Sequence, residues 1–288
     1  MTEPRFSFKY WGQQTSWVDL EAVWRNADSG GFWDAAWLND HLYPPRADRE
    51  LPIFDAYALL AGCAAITNRL RFGVMVTANT FRHPAVLAKM AVTIDHMSNG
   101  RLELGVGAGW LESEHEAFGI PLPPLTERFD RLDETFTIID GLLTNDTFSL
   151  DGPFHTIVGA EFMPKSIQKP RIPFVVGGAG PKRTLPLAAK WADQWNYPDF
   201  GASDALDVFS DRLALLRSLC AEIGRDPREI EISAQIRYPG DIAAAIDRIT
   251  AYREAGATHM LVSFMPPTDL GLPAEVGDAL GNHFGDSG

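Results

Sequence analysis

The reading of the fold turns on residues 85–106, AVLAKMAVTIDHMSNGRLELGV. Ala85–Met97 carries apolar side chains at helical spacing, whereas Arg101–Val106 is a short apolar run of strand length. Ser98–Asn99–Gly100 between them is a helix stop, and Pro84 ahead of them fits the first turn of a helix. The stretch is therefore one helix feeding one strand, and the same unit recurs on both sides of it. Strands are expected at Phe6–Tyr10, Asp34–Leu38, Leu70–Val76, Arg101–Val106, Ile172–Val176, Ala192–Asn196, Glu229–Ile236 and His259–Phe264. Helical periodicity fills the gaps: a first helix through Val18, Ala22 and Trp24–Arg25, then Ala56–Ile66, Ala85–Met97, Phe129–Leu143, Thr184–Trp191, Leu206–Ile223, Ile242–Ala255 and Pro273–Leu280. Gly30–Gly31 and Ala255–Gly256 read as helix ends, Ser203 and Asp204 as N-caps.

Strands that alternate with helices pair in parallel, because the crossover helices must cover the sheet faces. Eight such units closing on themselves make a (β/α)8 TIM barrel, for which 288 residues is a fitting length. An open doubly wound sheet is the rival. Two segments exceed what a minimal barrel needs: the proline-bearing Gly107–Leu125 after strand four and Asn145–Arg171 before strand five, the latter holding the turn-like Leu150–Asp151–Gly152–Pro153. Long insertions in a compact barrel are usually lids or binding loops. No linker, repeat or low-complexity tract interrupts the chain, so a single domain over residues 1–288 is expected.

Composition narrows the function classes. The apolar fraction of 45% and charged fraction of 22% are those of a globular protein. A net charge of −13 speaks against nucleic acid and against an anionic membrane surface as partners, and no apolar run approaches the ~20 residues of a membrane span. Met1–Tyr10 carries charges and no long apolar stretch, so no signal peptide is expected. Cys63 and Cys220 are too few for a disulfide framework and read as buried free thiols of a cytoplasmic protein. The seven histidines form no HxH, HExxH or HxxxH set, so no metal site is expected.

Barrel sites are built from the loops that follow the strands, so the residues just past each strand are the candidates. After strand two, Asp40–His41 offers an acid beside a histidine; the pair is a titrating couple with Asp40 orienting His41, or His41 is structural. After strand three, Thr77, Ala78 and Asn79 present small and amide groups to a planar ring, and Arg82 and His83 are substrate contacts or helix-entry residues. After strand four, Gly107–Ala108–Gly109–Trp110 is GxGxG in context rather than the dinucleotide fingerprint GxGxxG. Its glycines let backbone approach a flat ring, and Trp110 can stack on that ring. Glu112 and Glu114 suggest acid–base work or substrate contact, although solvated helix charges are the plainer reading. After strand five, Gly177–Gly178–Ala179–Gly180, then Lys182 and Arg183 at a helix start, form an anion cradle or a tight turn; no GK[ST] follows, so this is not a P-loop.

Taken together, four segments resemble one family. Ala36–Leu42 is similar to its Trp-x-x-Asp-His-Leu element, and Thr77–Lys89 to its third loop and helix. Asn99–Trp110 with Glu114 and Gly119 is similar to its fourth, and Pro173–Gly180 with Ala192–Asn196 to its fifth and sixth. The chain thus resembles the bacterial luciferase-like monooxygenase superfamily, in its branch of oxidoreductases that use the deazaflavin coenzyme F420; the match runs from about Phe6 to Asn196. That resemblance implies a (β/α)8 barrel, a homodimer, and hydride transfer between a small organic substrate and coenzyme F420. The alternatives are a monooxygenase using reduced FMN and a non-catalytic flavin-binding barrel. It further implies Asp40 and His41 beside ring and substrate, Thr77, Ala78 and Asn79 on one ring face, Gly107, Ala108, Gly109 and Trp110 at the ring's border, and Gly177, Gly178, Ala179 and Gly180 on the cofactor phosphate. The sugar-phosphate dehydrogenases of the family carry a catalytic Glu where this chain has Trp110, a departure that Glu112 would repair only if the loop bends inward.

Overall fold

The computed structural model describes residues 4–45 and 49–285. In chain order the elements are β1 (Arg5–Tyr10), α1 (Trp17–Gly30), β2 (Ala35–Leu38), α2 (Ala56–Ile66), β3 (Arg71–Val74), β4 (Thr77–Ala78), α3 (Pro84–Met97), β5 (Leu102–Gly107), α4 (Glu112–Ala117) and α5 (Leu125–Thr144). Then follow β6 (Thr147–Asp151), β7 (Thr156–Glu161), β8 (Phe174–Gly177), α6 (Thr184–Trp191), β9 (Gln194–Asp199), α7 (Ala205–Glu222), β10 (Glu231–Arg237), α8 (Ile242–Glu254), β11 (His259–Phe264) and α9 (Leu272–Phe284). Parallel pairing runs β3-β2-β1-β11-β10-β9-β8-β5, and β3 pairs with β5 to close the ring. The result is an eight-stranded (β/α)8 barrel with helices between the strands.

Local sequence explains where the helices begin and end. Ser16 and Asp19 form a reciprocal capping box at α1, Asp55 accepts the Ala58 N–H at α2, and Asp241 accepts the Ala244 N–H at α8. Asn99 and Gly100, both at positive φ, turn the chain from α3 into β5, as the helix stop required. Asp204 does stand at the start of α7, but its side chain caps no N–H.

The register of the strands decides which side chains fill the barrel. Along β1 the outward face is Phe6, Phe8 and Tyr10, covered by helices and buried, and the inward face is Arg5, Ser7 and Lys9. At the amino end of the barrel Arg5 binds Glu103 at 2.7 Å and Glu231 at 2.8 Å, Arg71 binds Glu103 at 2.6 Å, and His259 bridges Glu231 and Ser7. Above this polar plug Ala35, Trp37, Met75, Val175 and Leu261 pack as an apolar layer. The barrel is closed from below and filled at mid-height, which leaves the carboxyl ends of the strands as its open mouth.

Of the two surplus segments, Asn145–Arg171 supplies the antiparallel hairpin β6–β7, turning at Gly152. None of its residues lines the mouth, so it is no lid. Buried Glu134 on α5 anchors it, accepting from His155 Nδ1 at 2.6 Å. The other segment forms α4, which folds back over the mouth.

Candidate functional site

The strand ends surround a cleft of about 480 Å³. Asp40, His41, Thr77, Ala78, Gly107, Ala108, Gly109, Trp110, Gly177 and Gly178 all line it, so residues scattered over 139 positions of sequence converge on one space. Glu114 lines it as well.

His41 and Asp40 do not form the couple that their adjacency suggested. In extended chain, neighbouring side chains point to opposite sides. Asp40 turns away from His41 to accept the Ala78 N–H at 2.9 Å and Arg82 Nη1 at 2.6 Å. Arg82 is in turn held by Asp55 at 2.8 Å and lies over the Tyr57 ring, so it braces the loop and does not line the cleft. Burial pushes the Asp40 carboxyl up from its usual range, and the Arg82 guanidinium opposes that push.

The acid that orients His41 is Glu114, 73 residues away in sequence. His41 Nδ1 lies 3.0 Å from Glu114 Oε2, and the Leu42 and Tyr43 N–H groups donate to Oε1. Glu114 is 1% exposed, so the reading of it as a solvated helix charge is corrected. An ionised carboxylate only accepts, so Nδ1 of His41 is the donor and Nε2 is left for the cleft. Trp110 meets His41 edge-on, 5.8 Å between ring centres, and is 56% exposed at the rim. Glu112, two residues on, is exposed and does not line the cleft, so the loop does not bend it inward.

Glycine shapes the opposite wall. A Cβ on Gly107 would meet Val76 Cγ2 at 2.4 Å, and one on Gly177 would meet Val76 Cγ1 at 3.1 Å, so the wall is flat backbone backed by Val76. The Met75–Val76 peptide just before Thr77 is cis. Gly178, at φ +123°, carries the chain from β8 towards α6, and its N–H is taken by Asn196 O at 2.9 Å. Beyond it, among the described residues, nothing in the protein accepts the N–H groups of Gly180, Lys182, Arg183 and Thr184. Such a row of free donors at a helix start suits a phosphate. A flat-walled cleft with a phosphate-sized nest at its rim fits a flavin-type ring with a phosphorylated tail. Ala179 and Gly180 belong to this rim and not to the cleft lining, and Asn79 is turned outward, accepting from Thr135 Oγ1 at 2.7 Å.

Several lining groups had no signal in strand-end motifs: Lys9, Trp11, Asn196, Asp199, Gln235, Arg237 and Ser263. For Lys9 the signal was the alternation Phe6-Ser7-Phe8-Lys9-Tyr10, whose aromatic face goes to the helices and whose polar face must then go inward. The Asn39 amide nitrogen is buried at the cleft without a partner among the described residues.

The fold and the cleft together define a (β/α)8-barrel enzyme with an open cleft at the carboxyl ends of its strands. The sequence profile of the luciferase-like monooxygenase family matches residues 5–256. An F420-dependent glucose-6-phosphate dehydrogenase of Microbacterium testaceum is 34% identical over 256 residues, covering 86% of this chain and 73% of that protein. An uncharacterised Mycobacterium tuberculosis protein is 31% identical over 238 residues, 81% of this chain and 77% of its own length. In three dimensions the chain is similar to an F420-dependent secondary alcohol dehydrogenase bound to an F420–acetone adduct, with TM-score 0.84, 19% identity and 98% of both chains covered. The chain belongs to the luciferase-like monooxygenase family, and it is an oxidoreductase of that kind. No helix among the described residues is long and apolar enough to cross a membrane.

Proposed function

We propose that this protein oxidises or reduces a small organic substrate by hydride exchange with coenzyme F420. The observation that carries the reading is the convergence of the His41–Glu114 pair with the Gly107 and Gly177 wall on one cleft. The cofactor supplies the redox chemistry, taking up or giving a hydride at its ring. Thr77, Ala78, Gly107, Gly177 and Gly178 would hold the ring, and the N–H groups of Gly180 and Lys182–Thr184 its phosphate. Oxidation of an alcohol removes a hydride from carbon and a proton from oxygen. His41 Nε2 is the base for that proton, with Glu114 stabilising the imidazolium that results. Trp110 and Leu111 at the rim keep water from the substrate side.

The relatives that use F420 support this cofactor; reduced FMN with oxygen is the alternative that the same wall admits. Titration of the purified protein with F420, reduced F420 and FMN, followed by absorbance change with an alcohol and aldehyde panel, tests the reading. Micromolar F420 binding with substrate-dependent loss of deazaflavin absorbance is expected. Micromolar binding of neither cofactor, or oxygen uptake with FMN alone, would overturn it. We further read the chain as one domain, acting as a homodimer on a small molecule in the cytoplasm. Its two free, buried thiols suit a reducing compartment, and light scattering after gel filtration measures the assembly.

A further inference from the structure

The strand register sets three residues side by side at the top of the barrel. Lys9 on β1 pairs in register with Ser263 on β11, and Ser263 with Arg237 on β10. Residues in register on neighbouring parallel strands face the same way, and two strand spacings set the outer two Cα atoms roughly 10 Å apart. All three line the cleft, across the mouth from the glycines of β5 and β8.

No carboxylate pairs with the charges of this row, although Lys9 Nζ lies over the Trp11 ring, 5.3 Å from its centre. Lys9 is 5% exposed, and its ammonium, with three donors, makes one hydrogen bond, to Met75 O at 2.7 Å. The Arg237 side chain makes no hydrogen bond or ion pair among the described residues. Ser263 Oγ accepts from Trp11 Nε1 at 3.3 Å, which leaves its hydroxyl proton free to donate. The cleft's carboxylates are each engaged elsewhere: Asp40 with Arg82, Glu114 with His41, Asp199 with Arg248 and Tyr252. Asp269 and Glu275, which share the neighbouring depression with Arg237, form no ion pair with it. In a protein of net charge −13, a buried lysine, a serine hydroxyl and an arginine exposed at the rim thus stand in a row beside the apolar part of the cleft formed by Met75, Val76, Phe81 and Met265.

We propose that Lys9, Ser263 and Arg237 form an oxyanion subsite that takes the carboxylate of an apolar organic acid, the acid group of the substrate. The assignment rests on the reading of this cleft as the catalytic one. It places the substrate's charged end on β1, β11 and β10 and its reacting carbon towards His41. The depression beyond Arg237 leaves room for a longer substrate body.

Calorimetric titration of the full-length protein with benzoate, and with benzamide as its uncharged match, tests this with and without bound F420. The wild type is expected to bind benzoate at least tenfold more tightly than benzamide. Lys9→Met and Arg237→Gln should each weaken benzoate tenfold or more, leave benzamide unchanged and hold the F420 affinity within threefold; Arg237→Lys should restore part of the loss. Benzoate affinity indifferent to both substitutions overturns the subsite. So does an F420 affinity that falls in parallel with that for benzoate, since the row would then hold the cofactor's own anionic groups. Loss of benzoate binding in both variants of a protein that binds no F420 at all upholds the subsite and removes the F420 reading instead.

Discussion

Lys9 gives a stability test that needs no cofactor. Its ammonium sits in the barrel interior without a carboxylate beside it, and that burial lowers its pKa from the usual 10.5 to about 7. Below pH 7 the lysine is charged in both folded and unfolded chains, and the folded state carries the full penalty of a desolvated charge. Between pH 7 and 10.5 the unfolded chain keeps a proton that the folded one has released, so stability rises with pH. Above 10.5 both are neutral and the penalty is gone. Each tenfold change in proton affinity is worth about 1.4 kcal/mol, which puts a ceiling of roughly 5 kcal/mol on the penalty. Lys9→Met keeps the volume and removes the charge, but forfeits the hydrogen bond to Met75 O, worth about 1 kcal/mol. Water entering the open cleft reduces the gain further. A net stabilisation of roughly 2–4 kcal/mol at pH 6 is therefore expected. That corresponds to a rise in Tm on the order of 5–10 °C for a chain of this size. At pH 10 the advantage should vanish or reverse. Urea unfolding of the two proteins at matched m-values from pH 6 to pH 10 reads the difference directly. A variant less stable than the wild type at pH 6, or a difference that does not change with pH, would refute the reasoning.

Three other outcomes follow from the same geometry. Glu103, held at about 2 against the upward push of burial by Arg5 and Arg71, has a folded pKa below its ordinary value; its stabilisation, on the order of 2–3 kcal/mol, is present above about pH 4.5 and fades as pH falls towards 2, so Glu103→Gln should flatten the acid limb of the stability–pH curve. Glu114→Gln should lower kcat about 10- to 100-fold, and His41→Ala about 100-fold or more, with F420 affinity within threefold in both; an unchanged kcat in either would remove the pair from the mechanism. Gly177→Leu puts a side chain where the ring's flat wall stands, so F420 binding should weaken at least 100-fold while overpacking against Val76 lowers stability by about 1–3 kcal/mol; full cofactor affinity in this variant places the ring elsewhere.

The alternation of apolar runs was enough to read all eight barrel strands, because parallel strands covered by helices must be apolar along most of their length. What the linear pattern missed was short or distant. Helix α4 has six residues and no apolar stripe, and it is held by the contacts of Glu114 with His41, Leu42 and Tyr43. The Asp40–His41 dipeptide misled because proximity in sequence is separation in space for extended chain. Asp40 found its cation in the next loop, and His41 found its acid two strands on.

The same limit hides the most informative contrast in the molecule, which lies within a single strand. On β1, Arg5 and Lys9 are both inward-facing cations four residues apart, and nothing in the sequence distinguishes them. At the closed end Arg5 has two carboxylates within 2.8 Å, and its charge is spent on holding the barrel floor together. At the open end Lys9 has none, and keeping a desolvated ammonium there costs the fold stability that a methionine would give back. A residue that weakens the folded state and still faces the cleft is explained by a ligand that completes it. The polar plug and the unpaired row are thus two uses of one inward face, the first closing the barrel and the second leaving it ready to bind.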